Sequence, residues 1–111
     1  MPSRVRIPSR SDRASVKARE NGLGAFPDAK SARASRHVAE LQRMRGDGHR
    51  AVLLFCVQHS GVARVTTADD IDPAYGVALR AAHRAGVEVI AYRTAVSPQS
   101  LTLADELPVV L

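Results

Sequence analysis

The stretch Ala51–Gln58 constrains the fold more than any other part of the chain. Seven apolar residues follow one another without a break, and Gln58 ends the run. Turn signals flank it, Gly46-Asp47-Gly48 before and Ser60-Gly61 after. A run of this length and composition is too short to span a membrane and is typical of a β-strand that is buried on both faces. Because such a strand needs helices packed over its sheet, the sequence predicts an α/β fold.

Helix and strand signals on both sides of this run supply the covering elements. Ser31 is a suitable N-cap for a first helix that we expect over Ser31–Arg45. Asp72-Pro73 gives a second helix its N-cap and first residue, and Gly86 gives it a stop. Val87–Tyr92 is then a second buried strand, which a crossover connection would place in the same sheet, parallel to the first. Weaker strands are predicted in two further stretches, Gly61–Thr67 and Leu101–Leu111.

The net charge of +5 is concentrated at the N-terminus. Residues 1–19 contain six basic residues and one acidic residue, whereas residues 20–111 contain ten of each. Residues 1–14 are rich in Pro, Ser and Arg, so we expect a disordered basic arm. Such an arm either binds nucleic-acid phosphates or is a solvated tail. The candidate nucleic-acid contacts are Arg4, Arg6, Arg10, Arg13 and Arg19.

Other polar groups give weaker indications. Asp69, Asp70 and Asp72 cluster before the second helix, where they either bind a metal or cap the helix and favour its dipole. The single cysteine, Cys56, lies in the apolar run and is expected to be a core side chain. The sequence has no signal peptide and no transmembrane segment, which predicts a cytoplasmic protein without a membrane partner.

Several strings match one known family in order and spacing. They are Val16-Lys17, Glu20-Asn21-Gly22, Phe26-Pro27-Asp28-Ala29, Arg36-His37-Val38, Glu40-Leu41, Arg50-Ala51-Val52, Phe55, Val57-Gln58, Asp72-Pro73, Gly86-Val87-Glu88, Ala91-Tyr92 and Leu107-Pro108-Val109. On these strings, residues 15–111 resemble the C-terminal part of the sugar fermentation stimulation protein A (SfsA) family of bacteria. The number of ordered strings makes this resemblance more specific than any single motif.

The resemblance implies a fold and a chemistry. Family members carry an N-terminal OB-like domain and then a domain similar to the PD-(D/E)xK nucleases. The implied fold of this chain is α/β, a partial restriction-endonuclease-like (PD-(D/E)xK) core in which a mixed sheet has helices on its faces. The implied function is that of a DNA-binding nuclease acting on DNA or RNA with Mg2+, linked to the regulation of sugar (maltose) metabolism. In this chemistry two carboxylates hold the metal and a lysine stabilises developing charge.

The chain departs from the family pattern at the catalytic residues. The Glu-x-Lys position reads Ser15-Val16-Lys17, so Lys17 is the implied catalytic lysine and the metal-binding glutamate is missing. Asp12 is the candidate for the catalytic and metal-binding aspartate, although the gap before Ser15 is too short for a hairpin. Gln58 is expected at the rim of the site.

Three hypotheses follow from this departure. The chain is a nuclease-like domain over residues 15–111 whose catalysis is impaired, a nucleic-acid-binding protein without enzymatic activity, or a fragment without an independent function. The OB-like domain is not in this sequence, which predicts an N-terminally truncated family member. The oligomeric state cannot be predicted from the sequence.

Overall fold

The structure is a computed structural model that describes residues 11–27, 29–58, 61–96 and 101–111. Eight strands, two α-helices and one short 3-10 helix (Glu20–Gly22) lie in these ranges. The strands are β1 (Ser11–Ser15), β2 (Lys17–Ala18), β3 (Leu23–Phe26), β4 (Val52–Val57), β5 (Arg64–Thr67), β6 (Glu88–Val96), β7 (Leu101–Leu107) and β8 (Val109–Val110). The helices are α1 (Ala32–Gly46) and α2 (Pro73–Arg84).

The strands form two four-stranded sheets, where the sequence had predicted a single mixed sheet. The first sheet has the order β1-β4-β6-β7; its first three strands are parallel, and β7 is antiparallel to β6. The second sheet has the order β2-β3-β5-β8; here β2 is antiparallel to β3 and the other pairs are parallel. The α/β class is therefore confirmed and the single sheet is wrong, because the short strands β2, β3, β5 and β8 pair among themselves.

The predicted buried strand is β4, and all six of its residues are buried. It lies between β1 and β6 and is parallel to both, which confirms the predicted parallel pairing with the strand after the second helix. Its side chains alternate between two clusters, as the period of a strand requires. Leu53, Phe55 and Val57 join the large core, whereas Leu54 and Cys56 join a small cluster with Tyr92.

Both helices contribute to the same side of β4. The buried residues of α1 and of α2, among them Leu41 and Leu79, belong to the large core. Within the described residues, the small cluster around Leu54 contains no helix residue. The expectation of helices on both faces of the sheet is therefore wrong for the described part of the chain. The reason is that α1 and α2 pack against each other and share one layer.

Aromatic contacts join this layer to both sheets. Phe26 of β3 lies with its ring centroid 5.9 Å from that of Phe55 in β4 and 5.2 Å from that of Tyr75 in α2. The second contact is edge-to-face, an arrangement that the ring quadrupoles favour. Three of the four aromatic residues of an otherwise aliphatic core thus connect the second sheet, the first sheet and the helix layer.

The local helix signals are confirmed. Ser31 caps α1 by accepting a hydrogen bond from the Ala34 amide at 3.0 Å, and Pro73 begins α2 directly after its cap Asp72. Gly86, which follows the C-cap of α2, has a φ of 105°, a value that favours glycine. These positions agree with the sequence because a cap depends on the few residues around it.

The strand β1 includes residues that the sequence assigned to the disordered basic arm. β1 begins at Ser11, so residues 11–14 form part of a strand and only residues 1–10, which lie outside the described ranges, remain as a candidate arm. Among the described residues, no helix combines the length and the apolar character that crossing a membrane needs.

Candidate functional site

The backbone around Ser15 and Lys17 passes from one sheet to the other. In β1, Ser15 is paired with Cys56 of β4, and the next amide, that of Val16, donates to the Cys56 carbonyl at 3.2 Å. Lys17 then pairs with Ala25 of β3 in the second sheet. The Ser15-Val16-Lys17 segment is therefore a strand junction, which we define as these three residues, and both sheets fix its backbone.

Close packing holds the strand junction in place. Val16 is partly buried and packs against the large core. Gly24, which pairs with Ala18 across β2 and β3, is buried beneath it. A Cβ atom at Gly24 would lie 2.6 Å from Cγ1 of Val16 and 2.9 Å from Cγ1 of Val62. Since these distances are shorter than atoms tolerate, the junction requires glycine at this position.

Lys17 and Gln58 lie at the same end of the first sheet. Ser15 and Cys56 form the last pair between the parallel strands β1 and β4. Lys17 follows Ser15 by two residues, and Gln58 follows Cys56 by two residues. Gln58 is exposed. The carboxyl ends of parallel strands are where α/β sheets commonly place binding residues. The structure thus brings the backbones of the predicted lysine and the predicted rim residue to the same end of the first sheet.

Asp12 does not have the position that the family pattern gives its aspartate. The pattern places that residue on a different strand from Glu-x-Lys, whereas Asp12 lies in β1 itself, opposite Leu53 and three residues before Ser15. At the rise of a β-strand, the backbones of these two residues are about 10 Å apart. Together with the serine at position 15, this placement leaves the junction without the pair of carboxylates that holds Mg2+ in the family pattern. The residues present therefore do not fit the implied metal.

The arginines of the predicted nucleic-acid contact are found in different settings. Arg13 lies in β1 opposite Leu54. Arg19 donates from Nη1 to Oδ1 of Asp70 at 2.9 Å, so its charge is already paired within the chain. The other three candidates, Arg4, Arg6 and Arg10, lie outside the described residues.

Two of the acids before α2 form ion pairs. Asp69 accepts hydrogen bonds from Arg80 at 2.6 Å and from the Thr67 hydroxyl at 2.8 Å, and both lower the pKa of its carboxyl. The ion pair with Arg19 likewise lowers the pKa of Asp70. In the part of the chain that the structure describes, no group of three His, Cys, Asp or Glu residues could hold a metal ion.

Asp72 has a structural position between the two helices. It is 6% exposed, its Oδ1 accepts from the Tyr75 amide at 3.1 Å, and its Oδ2 accepts from the Ser31 amide at 2.9 Å. One carboxylate therefore caps α2 and also holds the residue that caps α1. This confirms the capping interpretation for Asp72 and adds a link between the helices that the sequence did not reveal.

A group of cations at the start of α1 was missed at the level of sequence. Lys30, Arg33 and Arg36 are all exposed. The described ion pairs involve Arg19, Arg43, Arg50, Arg80 and Arg93 and none of these three. Counting charges over residues 20–111 concealed the group, because acids elsewhere in that stretch balance it. The spacing of three residues between its members was the available signal.

The fold and the strand junction define a small mixed α/β domain with two sheets and one layer of two helices. A structure of the same architecture is that of *Pyrococcus furiosus* SfsA in complex with Ca2+, which superimposes with a TM-score of 0.81 at 28% identity over 91% of this chain and 44% of that one. Residues 14–100 match the family described as the Sugar fermentation stimulation protein RE domain. The chain therefore belongs to the sugar fermentation stimulation protein family.

Curated relatives give the same assignment at higher identity. The sugar fermentation stimulation protein homolog of *Teredinibacter turnerae* is 52% identical over 94 residues, which are 85% of this chain and 40% of that protein. The homolog of *Pseudomonas aeruginosa* is 52% identical over 90 residues, or 81% of this chain and 38% of that protein. The chain thus spans about two fifths of the length of the curated relatives it matches.

Proposed function

We propose that this chain is a nucleic-acid-binding domain of nuclease-like ancestry whose metal-dependent cleavage is impaired. The observation that carries the proposal is Ser15, which stands in β1 where the family pattern has the glutamate of Glu-x-Lys. A serine hydroxyl is neutral and is a weak ligand for Mg2+, which is held in proteins mainly through carboxylates. Lys17 keeps one positive charge at the junction.

Excess positive charge supports the binding part of the proposal. The net charge is +5, and the described part of the chain contains exposed cations without an acidic partner. Lys and Arg side chains bind the phosphates of DNA or RNA and release their counterions, which makes the affinity fall with salt. Regulation of sugar metabolism, to which the names of the relatives point, would then act through binding to DNA.

The metal of the related structure does not transfer simply to this chain. The *Pyrococcus* protein is described in complex with Ca2+. In this chain the candidate donor is Asp12, and its place in the same strand as Ser15 does not allow the two-carboxylate arrangement of the family pattern. We propose that a divalent ion binds at the junction only weakly, and we assign it no step in a reaction.

Binding is tested by fluorescence anisotropy with labelled single- and double-stranded DNA and RNA at increasing salt. We expect the logarithm of the affinity to fall linearly with the logarithm of the salt concentration. An affinity that does not respond to salt, or no binding to any of the four probes, would refute the proposal. The variant R4Q/R6Q/R10Q measures the share of the arm, because it removes three charges outside the described residues.

Cleavage is tested separately with the same substrates in the presence of Mg2+. We expect no cleavage by the wild-type chain, and cleavage that Lys17→Ala abolishes would favour the alternative, a Mg2+-dependent nuclease. Ser15→Glu restores the missing carboxylate, and Ser15→Gln is its neutral control of the same size. We expect Mg2+ to raise the melting temperature of the Glu variant more than that of the Gln variant. Equal responses would show that position 15 is not beside a metal site.

A further inference from the structure

We infer that Lys30 and the first turns of α1 form a phosphate-binding surface for nucleic acid. We name the surface the basic patch and define it as Lys30, Arg33 and Arg36. The inference rests on the proposed function and specifies where on the folded domain the phosphates bind. It differs from the expectation of an N-terminal arm, because it places contacts on a helix that both sheets help to position.

The basic patch faces solvent on one side of the helix. Val38 and Leu41 are the buried residues of α1, and Arg33 and Arg36, three residues apart, lie outside this buried stripe. Lys30 immediately precedes the N-cap, and all three residues are exposed. Six residues of helix span about 9 Å. This span covers two or three successive phosphates of one strand, which follow one another every 3.4 Å or so along the duplex axis.

The charges of the basic patch are unfavourable for the isolated domain. The N-terminal end of a helix carries a positive partial charge, which favours acidic residues, yet the first turn of α1 contains none. No described ion pair involves the three cations. The far half of the same helix is different, because Glu40 pairs with Arg43, and Arg43 and Arg45 in the last turn suit the negative end of the dipole. A bound polyanion would neutralise the positive charges in the N-terminal half of the helix.

Several backbone amides at the start of α1 already have partners within the chain. The Ala34 amide donates to the Ser31 hydroxyl at 3.0 Å, and the Ser35 amide donates to the Ser31 carbonyl at 3.2 Å. The Ser31 amide itself is held by Asp72. The charges of the basic patch belong to side chains that do not take part in these bonds, so mutation can remove them without uncapping the helix.

Nucleic acid fits this surface better than an anionic membrane does. A helix that lies in a membrane interface inserts large apolar side chains beside its cations. The large apolar residues that are exposed in the described part of the chain are Val77, Val110 and Leu111, and none of them lies on α1. The solvent side of α1 presents charged residues with small or polar neighbours, such as Ala39 and Gln42.

The test compares the variant K30Q/R33Q/R36Q with the control R43Q/R45Q/R84Q. Both variants remove three exposed positive charges, but the control removes them from the C-terminal ends of the two helices. Anisotropy titrations with labelled DNA and RNA give the slope of log affinity against log salt. We expect this slope to be smaller in magnitude by about 2 to 3 for the patch variant, because each lost phosphate contact removes ~0.7 to 0.9. We expect the control to lose less than about one unit.

The outcomes separate this inference from the proposed function. If the wild type binds and both variants keep its slope, the basic patch has no role and the proposed function still holds. If the wild type binds neither DNA nor RNA, both fail. Loss of binding to phosphatidylserine vesicles with unchanged binding to nucleic acid would replace this inference with a membrane surface.

Circular dichroism controls for folding. We expect the melting temperature of the patch variant to equal or exceed that of the wild type, because the removed charges lie at the positive end of the helix dipole. Should the triple variant fail to fold, Arg33→Gln and Arg36→Gln as single changes should each lower the slope by ~0.7 to 0.9. Single variants with wild-type slopes would overturn the inference.

Discussion

Replacement of Asp72 should separate the capping of one helix from the link between both. The Asp72 carboxylate is 6% exposed and accepts two backbone hydrogen bonds, from Tyr75 at 3.1 Å and from Ser31 at 2.9 Å. Asparagine retains one oxygen and is among the best N-cap residues, so Asp72→Asn should keep the bond from Tyr75. Its amide group would then face the Ser31 amide, donor against donor, and the link to α1 would be lost.

The magnitudes follow from the number and type of bonds removed. A hydrogen bond to a charged group contributes about 1.5–3 kcal/mol, so Asp72→Asn should lower the free energy of unfolding by about 2 kcal/mol. Asp72→Ala also removes the cap, worth about 1 kcal/mol, and should cost about 3–4 kcal/mol in total. In a domain of this size each kcal/mol lowers the melting temperature by roughly 4–8 °C. Asp72→Asn should therefore melt roughly 10 °C below the wild type.

Urea denaturation followed by far-UV circular dichroism measures these differences. Ser31→Ala is the matched control, because it removes the hydroxyl that caps α1 but keeps the amide that Asp72 accepts. It should cost about 1 kcal/mol. An Asp72→Asn variant as stable as the wild type would refute the reasoning, since it would show that the bond to Ser31 contributes nothing.

Three further predictions, which use four substitutions, test the charges around the helices. Gly76→Ala would place a Cβ against the carboxylate of Asp69 and 2.8 Å from Nη1 of Arg80, so it should break that ion pair and return the Asp69 pKa to its usual value in an NMR titration. The pKa of the Asp69 carboxyl is lower in the folded state than in the unfolded chain, so its ion pair stabilises the fold above the unfolded pKa, and this contribution is lost as the pH falls below about 4. Arg80→Gln should therefore reduce the fall in the free energy of unfolding at acid pH. An unchanged fall would contradict the assignment. Arg33→Glu places an anion in the first turn of α1 and should raise the free energy of unfolding by about 1 kcal/mol. Arg43→Glu places an anion in the last turn and should lower the free energy of unfolding. Equal effects of the two variants in urea titrations would argue against a role for the helix dipole.

The parts of the fold that the sequence predicted are those with local signals. The caps Ser31 and Asp72, the stop at Gly86 and the unbroken apolar run of β4 each depend on a few neighbouring residues, and all are confirmed. The parallel pairing of β4 with β6 was also predicted correctly, because a helical crossover between two buried strands leaves few other arrangements of those strands.

Division of the strands into two sheets could not be predicted in the same way. β1 has the sequence Ser-Asp-Arg-Ala-Ser, which contains no strand-favouring residue, and it forms a strand because β4 offers it a paired edge. β2 has two residues and β8 has two, too few for any periodicity. The transfer of the chain from one sheet to the other at Val16 depends on the space that Gly24 leaves, a contact between positions eight residues apart.

Sequence patterns were least informative about the site where they depended on charge balance or on motif spacing. The neutral body over residues 20–111 concealed the basic patch, because the ion pairs of arginines such as Arg50 and Arg80 become visible only after folding. The string around Asp12 fitted a family motif by residue type, and the strand register shows that it lies on the same strand as Ser15. Residue type alone does not specify which strand a residue will occupy.

The strand junction explains how such a chain can keep its scaffold while the residue at position 15 changes. The pairing of Ser15 with Cys56 and of Lys17 with Ala25 uses backbone groups, and the core contact of the junction belongs to Val16. The identity of residue 15 therefore contributes little to the paired backbone, and a glutamate or a serine can stand there at similar cost to the fold. The surface of α1 is likewise independent of that position. Under the proposed function, binding and cleavage would therefore depend on different residues, and Ser15→Glu should alter the response to Mg2+ while leaving the salt dependence of nucleic-acid binding unchanged.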